Sequence, residues 1–135
     1  MFQLSKKVEY ALIAMRHMAL SDHGRTFTAK EIADHYQISY DLLAKVMQKL
    51  ARGRFISSYQ GVHGGYTLTR HPSDLKLSAI INAIEDQPSV SIIQCEAGKP
   101  ENCIINSTCT IKDPLVKLQA SINKVFSDMS IMEMV

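Results

Sequence analysis

The sequence predicts a mainly α-helical fold, a winged helix-turn-helix with a two-stranded β wing and a long C-terminal dimerisation helix. Three observations predict it: two amphipathic helices joined by a tight turn, a glycine-tipped hairpin directly behind them, and an apolar three-four repeat near the C-terminus. The chain has 135 residues, of which 46% are hydrophobic and 21% are charged. This is enough for one globular domain with a core and an extension.

The first helix is predicted to run to about Leu20, because apolar residues recur there at steps of three and four. These residues are Leu4, Val8, Ala11, Leu12, Met15 and Met18. The stretch "SDHGRT" then interrupts the pattern. Thr28 is a suitable N-cap for a second, short helix that ends near Gln37, and Glu31 completes a capping-box pattern.

The third helix is predicted over "YDLLAKVMQKLARG", with Ser39 as its N-cap and Gly53 as a suitable C-terminal stop. Behind it, "FISSYQ" and "YTLTR" are rich in β-branched and aromatic residues and predict two strands. The intervening "GVHGG" contains three glycines that permit a turn with positive φ. A fourth helix is predicted from about Ser78 to Glu85, and Pro88 closes it.

The C-terminal helix is predicted from Asp113 onward, where apolar residues alternate by three and four between polar ones. They are Leu115, Leu118, Ile122, Val125, Met129 and Met132. This seam is typical of a helix that pairs with another helix, so it predicts dimerisation. The chain thus divides into a winged helix-turn-helix domain at 1–87, a cysteine-containing loop at 88–112 and the dimerisation helix at 113–135.

The charge is unevenly distributed along the chain. Residues 1–72 hold ten Lys or Arg against five Asp or Glu, whereas residues 73–135 hold five against eight. In this fold a basic front half predicts a double-stranded DNA partner, with the third helix in the major groove and the wing along the backbone or minor groove. The basic stripe could instead merely solvate a helix, or the fold could mediate only protein contacts.

The predicted DNA-contacting residues lie at helix N-termini, on the outer face of the third helix and at the wing tip. They are Thr28, Ser39, Tyr40, Asp41, Lys45, Lys49, Arg52, His63, Gly64 and Gly65. Lysine and arginine at steps of four and three can reach phosphates or base edges, and glycines let a backbone approach a phosphate closely.

Three cysteines, Cys95, Cys103 and Cys109, share one polar loop and are separated by seven and then five residues. The paired CxxC knuckles of a zinc site are absent from this spacing. Thiolates on such a loop can converge on one iron-sulfur cluster and leave one iron position for another ligand, a small molecule or an open site. Redox-active thiols, or no special role, are the alternatives.

Five stretches in this order are similar to those of one known family: "LSKKVEYAL", "ISYDLLAKVMQKLARGRFI", "GVHGGYTLTR", "AIINAIE" and the three-cysteine loop. On them the chain resembles, over nearly its full length, the Rrf2 family of bacterial transcription regulators, in particular the SUF-type regulators of iron-sulfur cluster assembly. The resemblance implies a homodimeric repressor that senses cluster status and controls cluster biogenesis or iron homeostasis genes. An iron- or nitric-oxide-responsive repressor of the same family, or a cluster-free thiol and disulfide switch, is the alternative.

The same resemblance implies a [2Fe-2S] or [4Fe-4S] cluster bound by Cys95, Cys103 and Cys109. In some members a carboxylate from the first helix of the other subunit is the fourth ligand, and Glu9 stands at that position. In others a histidine shortly after the third cysteine is the ligand, whereas here Thr110 to Lys112 follow Cys109. Glu9 could also be a surface carboxylate beside Lys6.

An enzyme is not expected, because no nucleophile, base and orienting partner are recognisable together. No stretch approaches the roughly 18 uninterrupted apolar residues that a membrane span needs. The N-terminus lacks a signal-peptide cleavage site after its apolar run. A cytoplasmic protein without a membrane partner is therefore expected.

Overall fold

The computed structural model describes residues 3–21, 25–86 and 110–135. Its helices are α1 (Lys6–Ala19), α2 (Ala29–Tyr36), α3 (Tyr40–Arg52), α4 (Leu77–Glu85) and α5 (Lys112–Asp128), with 3-10 helices at Pro72–Asp74 and Ile131–Met134. Strands β1 (Ile56–Tyr59) and β2 (Gly65–Leu68) form an antiparallel sheet. This order confirms the predicted fold class. All three cysteines, and most of the predicted loop at 88–112, lie outside the described residues.

The helix-turn-helix is set by the caps that the sequence predicts. The Thr28 hydroxyl accepts a hydrogen bond from the Glu31 amide at 3.0 Å, and the Ser39 hydroxyl accepts one from the Leu42 amide at 3.4 Å. Gln37 adopts a left-handed conformation with φ of 55° and ends α2. Each cap satisfies an amide that a helix start leaves without a backbone partner, so the two helices begin where the sequence dictates.

Helix α3 ends near Gly53, as predicted, but Gly53 does not adopt the left-handed conformation that commonly makes glycine a helix stop. Gly53 has φ of −76° and is right-handed, whereas the left-handed residue is Arg54 at 63°. A Cβ at Gly53 would lie 2.6 Å from the Phe55 ring. It would also lie 3.5 Å from the Cβ of Ala83 in α4. Gly53 is therefore required for close packing against Phe55 and not for a positive φ.

The wing is braced from outside the hairpin. Tyr66 of β2 exchanges two backbone hydrogen bonds with Phe27, at 2.8 and 2.6 Å, so the residue before the N-cap of α2 acts as a one-residue third strand. Gly65 has φ of 144°, and a Cβ there would lie 2.7 Å from the Phe27 carbonyl oxygen. The wing is thus fixed to the start of the helix-turn-helix.

The core lies where α1, α3 and α4 meet, and the C-terminal end of the chain closes it. The Leu77 amide donates to the Met129 carbonyl and the Ile131 amide donates to the Leu75 carbonyl, each at 3.0 Å. Ile131 is fully buried, and Arg16 Nε donates to the Met134 carbonyl at 2.7 Å. The predicted helix over 113–135 accordingly ends at Asp128, because the chain then becomes extended to pair with the segment before α4.

Candidate nucleic-acid interface

Helix α3 has a buried face and an exposed face. Leu43, Val46, Met47 and Leu50 are buried in the core. The exposed face carries Asp41, Lys45, Gln48 and Arg52 at steps of four, three and four, with Tyr40 exposed at its N-terminal end. These five residues are called the recognition face below. Within the described parts of the chain, no carboxylate lies within ion-pair distance of Lys45 or Arg52.

Lys49 does not lie on the same face of α3 as Lys45 and Arg52, the two cations with which it was predicted to contact DNA. Its ammonium lies 3.0 Å from the Ile84 carbonyl oxygen and 3.0 Å from Asp86 Oδ2, and its side chain is only 27% exposed. In this structure its charge is therefore engaged at the C-terminal end of α4 and separate from the recognition face. A DNA contact by Lys49 stays a prediction that this geometry does not favour.

Gln48 takes the place that Lys49 leaves, and sequence reasoning missed it. The signal was present, because Gln48 lies three residues after Lys45 and four before Arg52. Its amide offers one acceptor and two donors, the set that can pair with an adenine edge in the major groove.

The predicted residues at the helix starts serve first as caps. Thr28 and Ser39 each accept a backbone hydrogen bond through the hydroxyl oxygen, which leaves the hydroxyl hydrogen to donate elsewhere. Phosphate oxygens accept such hydrogen bonds at helix N-termini, where the helix dipole also favours an anion. Both residues are thus compatible with the predicted phosphate contact.

The wing tip is a tight turn held by its own backbone. The Gly64 amide donates to the Gly61 carbonyl at 2.9 Å, and the Thr26 hydroxyl donates to the His63 carbonyl at 2.9 Å. Val62 at the tip is 98% exposed, and His63 is exposed beside it. The turn therefore presents an apolar side chain and an imidazole at a fixed position.

The candidate fourth cluster ligand is engaged by a neighbour. The Glu9 carboxylate lies 2.8 Å from Lys6 Nζ and is about half exposed. This hydrogen bond, together with the charge attraction, raises the pKa of Lys6. In the ranges 3–21, 25–86 and 110–135 no three His, Cys, Asp or Glu side chains lie close enough to hold a metal ion. The three predicted thiolate ligands lie outside these ranges.

The predicted dimerisation seam of α5 is split in two by its packing. Leu118 and Val125 of the predicted seam are exposed at 49% and 61%, as is Met132 in the 3-10 helix that follows α5. Ile111, which was not part of the predicted seam, is exposed just before α5. These four residues are called the outer stripe. Leu115 and Ile122 are half-buried beside it, while Met129 packs against the core. Gln119 and Phe126, which the seam did not include, face the body of the protein.

Comparison with known families agrees with this architecture. The family profile described as "Rrf2: Iron-dependent Transcriptional regulator" matches residues 4–135. The chain belongs to the Rrf2 family. It is 26% identical over 133 residues to the HTH-type transcriptional regulator NsrR of Shouchella clausii, covering 98% of this chain and 88% of that protein. It is 28% identical over 113 residues to NsrR of Halalkalibacterium halodurans, covering 84% and 76%.

Two solved structures share the fold of this Rrf2 protein. The global cysteine regulator CymR of B. subtilis superposes with a TM-score of 0.76 at 19% identity, covering 99% of this chain and 96% of that one. IscR of T. potens superposes with a TM-score of 0.73 at 23% identity, covering 98% and 85%.

The matched family is one of transcriptional regulators, so this chain is a DNA-binding regulator and not an enzyme. In its described parts, none of the helices combines the length and the apolar character that crossing a membrane requires.

Proposed function

We propose that this Rrf2 protein is a homodimeric repressor whose recognition face enters the major groove of an operator while the wing contacts the neighbouring backbone. The observation that carries the proposal is the exposed stripe Lys45, Gln48 and Arg52 on a helix whose other face is buried. Lys45 and Arg52 have no carboxylate within ion-pair distance among the described residues, so both cations can attract phosphates. The Gln48 amide can read a base edge. The wing, fixed to Phe27, holds His63 at a set distance from this helix.

The outer stripe is the proposed contact between the two subunits. Leu118 and Val125 expose large apolar side chains one heptad apart on α5, and Ile111 and Met132 are exposed just beyond its two ends. Exposure of this apolar surface to water is unfavourable. A second copy of α5 removes that surface from water and places two recognition helices on one duplex. A two-fold dimer of this kind binds two half-sites about one helical turn apart.

Cys95, Cys103 and Cys109 are the proposed ligands of an iron-sulfur cluster. Three thiolates suit iron in such clusters, and the family description calls its members iron-dependent. The cluster would supply a redox- and iron-sensitive centre within the loop. For Glu9 to be the fourth ligand of the partner's cluster, its carboxylate has to exchange the Lys6 ammonium for iron. Breaking the Lys6–Glu9 ion pair costs little free energy, because exposed ion pairs are weak.

The first test is chemical analysis of protein purified without oxygen. We expect iron and acid-labile sulfide in similar amounts per chain, a visible absorption band, and loss of all three in Cys95→Ser. Operator binding would be measured in parallel, with and without the cluster, on a duplex that the wild-type protein selects from a random pool. Colourless protein without sulfide after reconstitution would contradict the cluster, and failure to select any duplex would contradict operator binding.

A cluster-free thiol switch is the second candidate function. Among proteins of this fold, CymR of Staphylococcus aureus has been solved in an oxidised form, at 21% identity and a TM-score of 0.72. A disulfide between Cys103 and Cys109 would survive Cys95→Ser, whereas a three-thiolate cluster would not. Mobility on a non-reducing gel after oxidation, compared between Cys95→Ser and Cys103→Ser, separates the two functions.

A further inference from the structure

The Lys49 ammonium ties the recognition helix to the end of α4. It donates to the Ile84 carbonyl and contacts Asp86 Oδ2, both at 3.0 Å, across the boundary between two helices. The last carbonyls of a helix have no partner within the helix, and a cation near them is favourable because the helix dipole is negative there. Lys49 therefore caps α4 from the side of α3.

The two helices also pack closely around this contact. A Cβ at Gly53, at the end of α3, would be 3.5 Å from Ala83 of α4, and Leu50 beside Lys49 is fully buried. Asp86 ends α4 in a left-handed conformation with φ of 55°, which few side chains other than Asn and Asp adopt readily. Lys49 thus contacts the carboxylate of a residue whose backbone is in an uncommon conformation.

We propose that Lys49 is a positioning residue for operator binding: it holds the recognition face at a fixed angle to the body by joining α3 to the C-terminal end of α4, and it touches no phosphate. The inference rests on the proposed function and refines it. Asp86 is nine residues before Cys95, so the anchor of α3 lies close in sequence to the first cysteine. Movement at the end of α4 then reaches the recognition helix through the two Lys49 contacts as well as through the packing of the helices.

Two roles for Lys49 make opposite predictions for Asp86→Asn. If Lys49 binds a phosphate, removing the nearby carboxylate frees the ammonium and raises the affinity for DNA. If Lys49 is a positioning residue, the same change loosens α3 and lowers the affinity. Asn keeps the left-handed conformation accessible, so the backbone is not disturbed.

The test compares full-length wild type with Lys45→Met, Lys49→Met, Asp86→Asn and the Lys49→Met, Asp86→Asn double variant. Affinity for the duplex selected by the wild type is measured over a range of salt concentrations. Lys45→Met is the matched control, because it removes the same group from the recognition face and should reduce the salt slope by about one. Thermal unfolding of each variant establishes that it is folded.

We expect Lys49→Met to lower the affinity about three- to tenfold with an unchanged salt slope. Asp86→Asn should lower it too, and the double variant should lose no more than Lys49→Met, because both changes break the same contact. A salt slope reduced by about one in Lys49→Met, a rise in affinity for Asp86→Asn, or an unchanged affinity in Lys49→Met would overturn the inference. If Lys45→Met itself binds like the wild type, the recognition face is wrong, which is a failure of the proposed function and not of Lys49 alone.

Discussion

Three of the five residues on the recognition face carry groups that can attract or read a duplex directly: the ammonium of Lys45, the guanidinium of Arg52 and the amide of Gln48. The cations interact with any phosphate, whereas the amide discriminates between base edges by the positions of its donor and acceptor. Gln48 is exposed and lies between the two cations along the helix. Affinity and specificity are therefore expected to reside in different residues of one stripe.

Gln48→Ala should accordingly change specificity more than affinity for unrelated DNA. A bidentate glutamine contact to adenine is worth about 1–3 kcal/mol of discrimination against the wrong base. We expect the variant to lose that preference at one position of each half-site, with the salt slope unchanged. Competition between the selected duplex and single-base variants measures this, and retention of the full preference would show that Gln48 reads no base.

A second residue-scale prediction concerns His17 of α1, whose ring contacts Tyr36 of α2. Its Nδ1 is 2.8 Å from the Tyr36 hydroxyl, and its ring packs edge-on against Phe27. Burial lowers the pKa of His17 from its ordinary 6.5, and His35 and Arg25 lower it further, although Glu31 acts in the opposite direction. The folded protein therefore favours neutral His17, and protonation is easier in the unfolded chain.

Stability should consequently fall as the pH decreases through about 6.5, where His17 of the unfolded chain becomes protonated. Measuring the free energy of unfolding at intervals between about pH 7.5 and 5.5 tests this. His17→Gln should flatten the dependence, since it removes the proton-binding group and retains a hydrogen-bonding partner for Tyr36. The same slope in wild type and variant would assign the acid sensitivity to other groups.

Residue roles on α3 could be predicted only in part from sequence. Between Lys45 and Arg52, both Lys49 and Gln48 fit helical steps of three and four. Periodicity alone therefore cannot tell which of the two lies on the exposed face. The position of α4 decides between them, because Lys49 lies beside its C-terminal carbonyls. That position depends on contacts distant in sequence, which no local pattern contains.

Among the elements, the wing depends most on a single close contact. Gly65 combines a φ of 144° with a Cβ position 2.7 Å from the Phe27 carbonyl oxygen, whereas Gly61 has φ of 107° and open space around it. A side chain at either position would strain the backbone, but only a side chain at Gly65 would also collide with Phe27.

Gly65→Ala should therefore destabilise the protein more than Gly61→Ala. Strain from an unfavourable φ costs on the order of 1–3 kcal/mol at either position, and at Gly65 the Phe27–Tyr66 pairing has to open as well. We expect Gly65→Ala also to weaken operator binding, because the wing moves away from the start of α2. Thermal unfolding and affinity of the two variants are the measurements, and equal effects would show that the brace is not needed.

Apart from the C-terminal end of α5, helix and strand positions were predicted to within a few residues, since caps, apolar periodicity and β-branched runs are local signals. The two isolated bridges, Phe27 to Tyr66 and Lys76 to Ser130, were not predicted. A bridge of one residue leaves no repeating pattern in the sequence and forms because packing brings two extended segments together. The second bridge is also the reason that α5 is shorter than its apolar pattern indicated.

At the scale of the whole molecule, α5 is attached to the DNA-binding body at its C-terminal end. Backbone hydrogen bonds join Met129 to Leu77 and Ile131 to Leu75, and Arg16 binds the Met134 carbonyl. The angle of α5 is therefore set by the same core that seats α3. In a dimer that pairs through α5, this attachment fixes the spacing of the two recognition faces.

The last prediction tests this arrangement by breaking the outer stripe. The double variant Leu118→Glu, Val125→Glu should be monomeric, because two charges replace exposed apolar side chains in the centre of the proposed seam and repel their symmetry mates. The body should remain folded, since neither side chain belongs to the core. Ala120→Glu is the matched control, because it adds a charge to an exposed position on the other side of α5.

Sedimentation gives the oligomeric state, and titration of the selected duplex gives the affinity. We expect the monomer to bind on the order of 100-fold more weakly or worse, because the second half-site contact is no longer intramolecular. Ala120→Glu should stay dimeric with wild-type affinity. If the stripe variant remains a dimer, the subunits meet elsewhere and the outer stripe has another partner; if it is monomeric but binds as tightly as the wild type, operator recognition does not require two subunits.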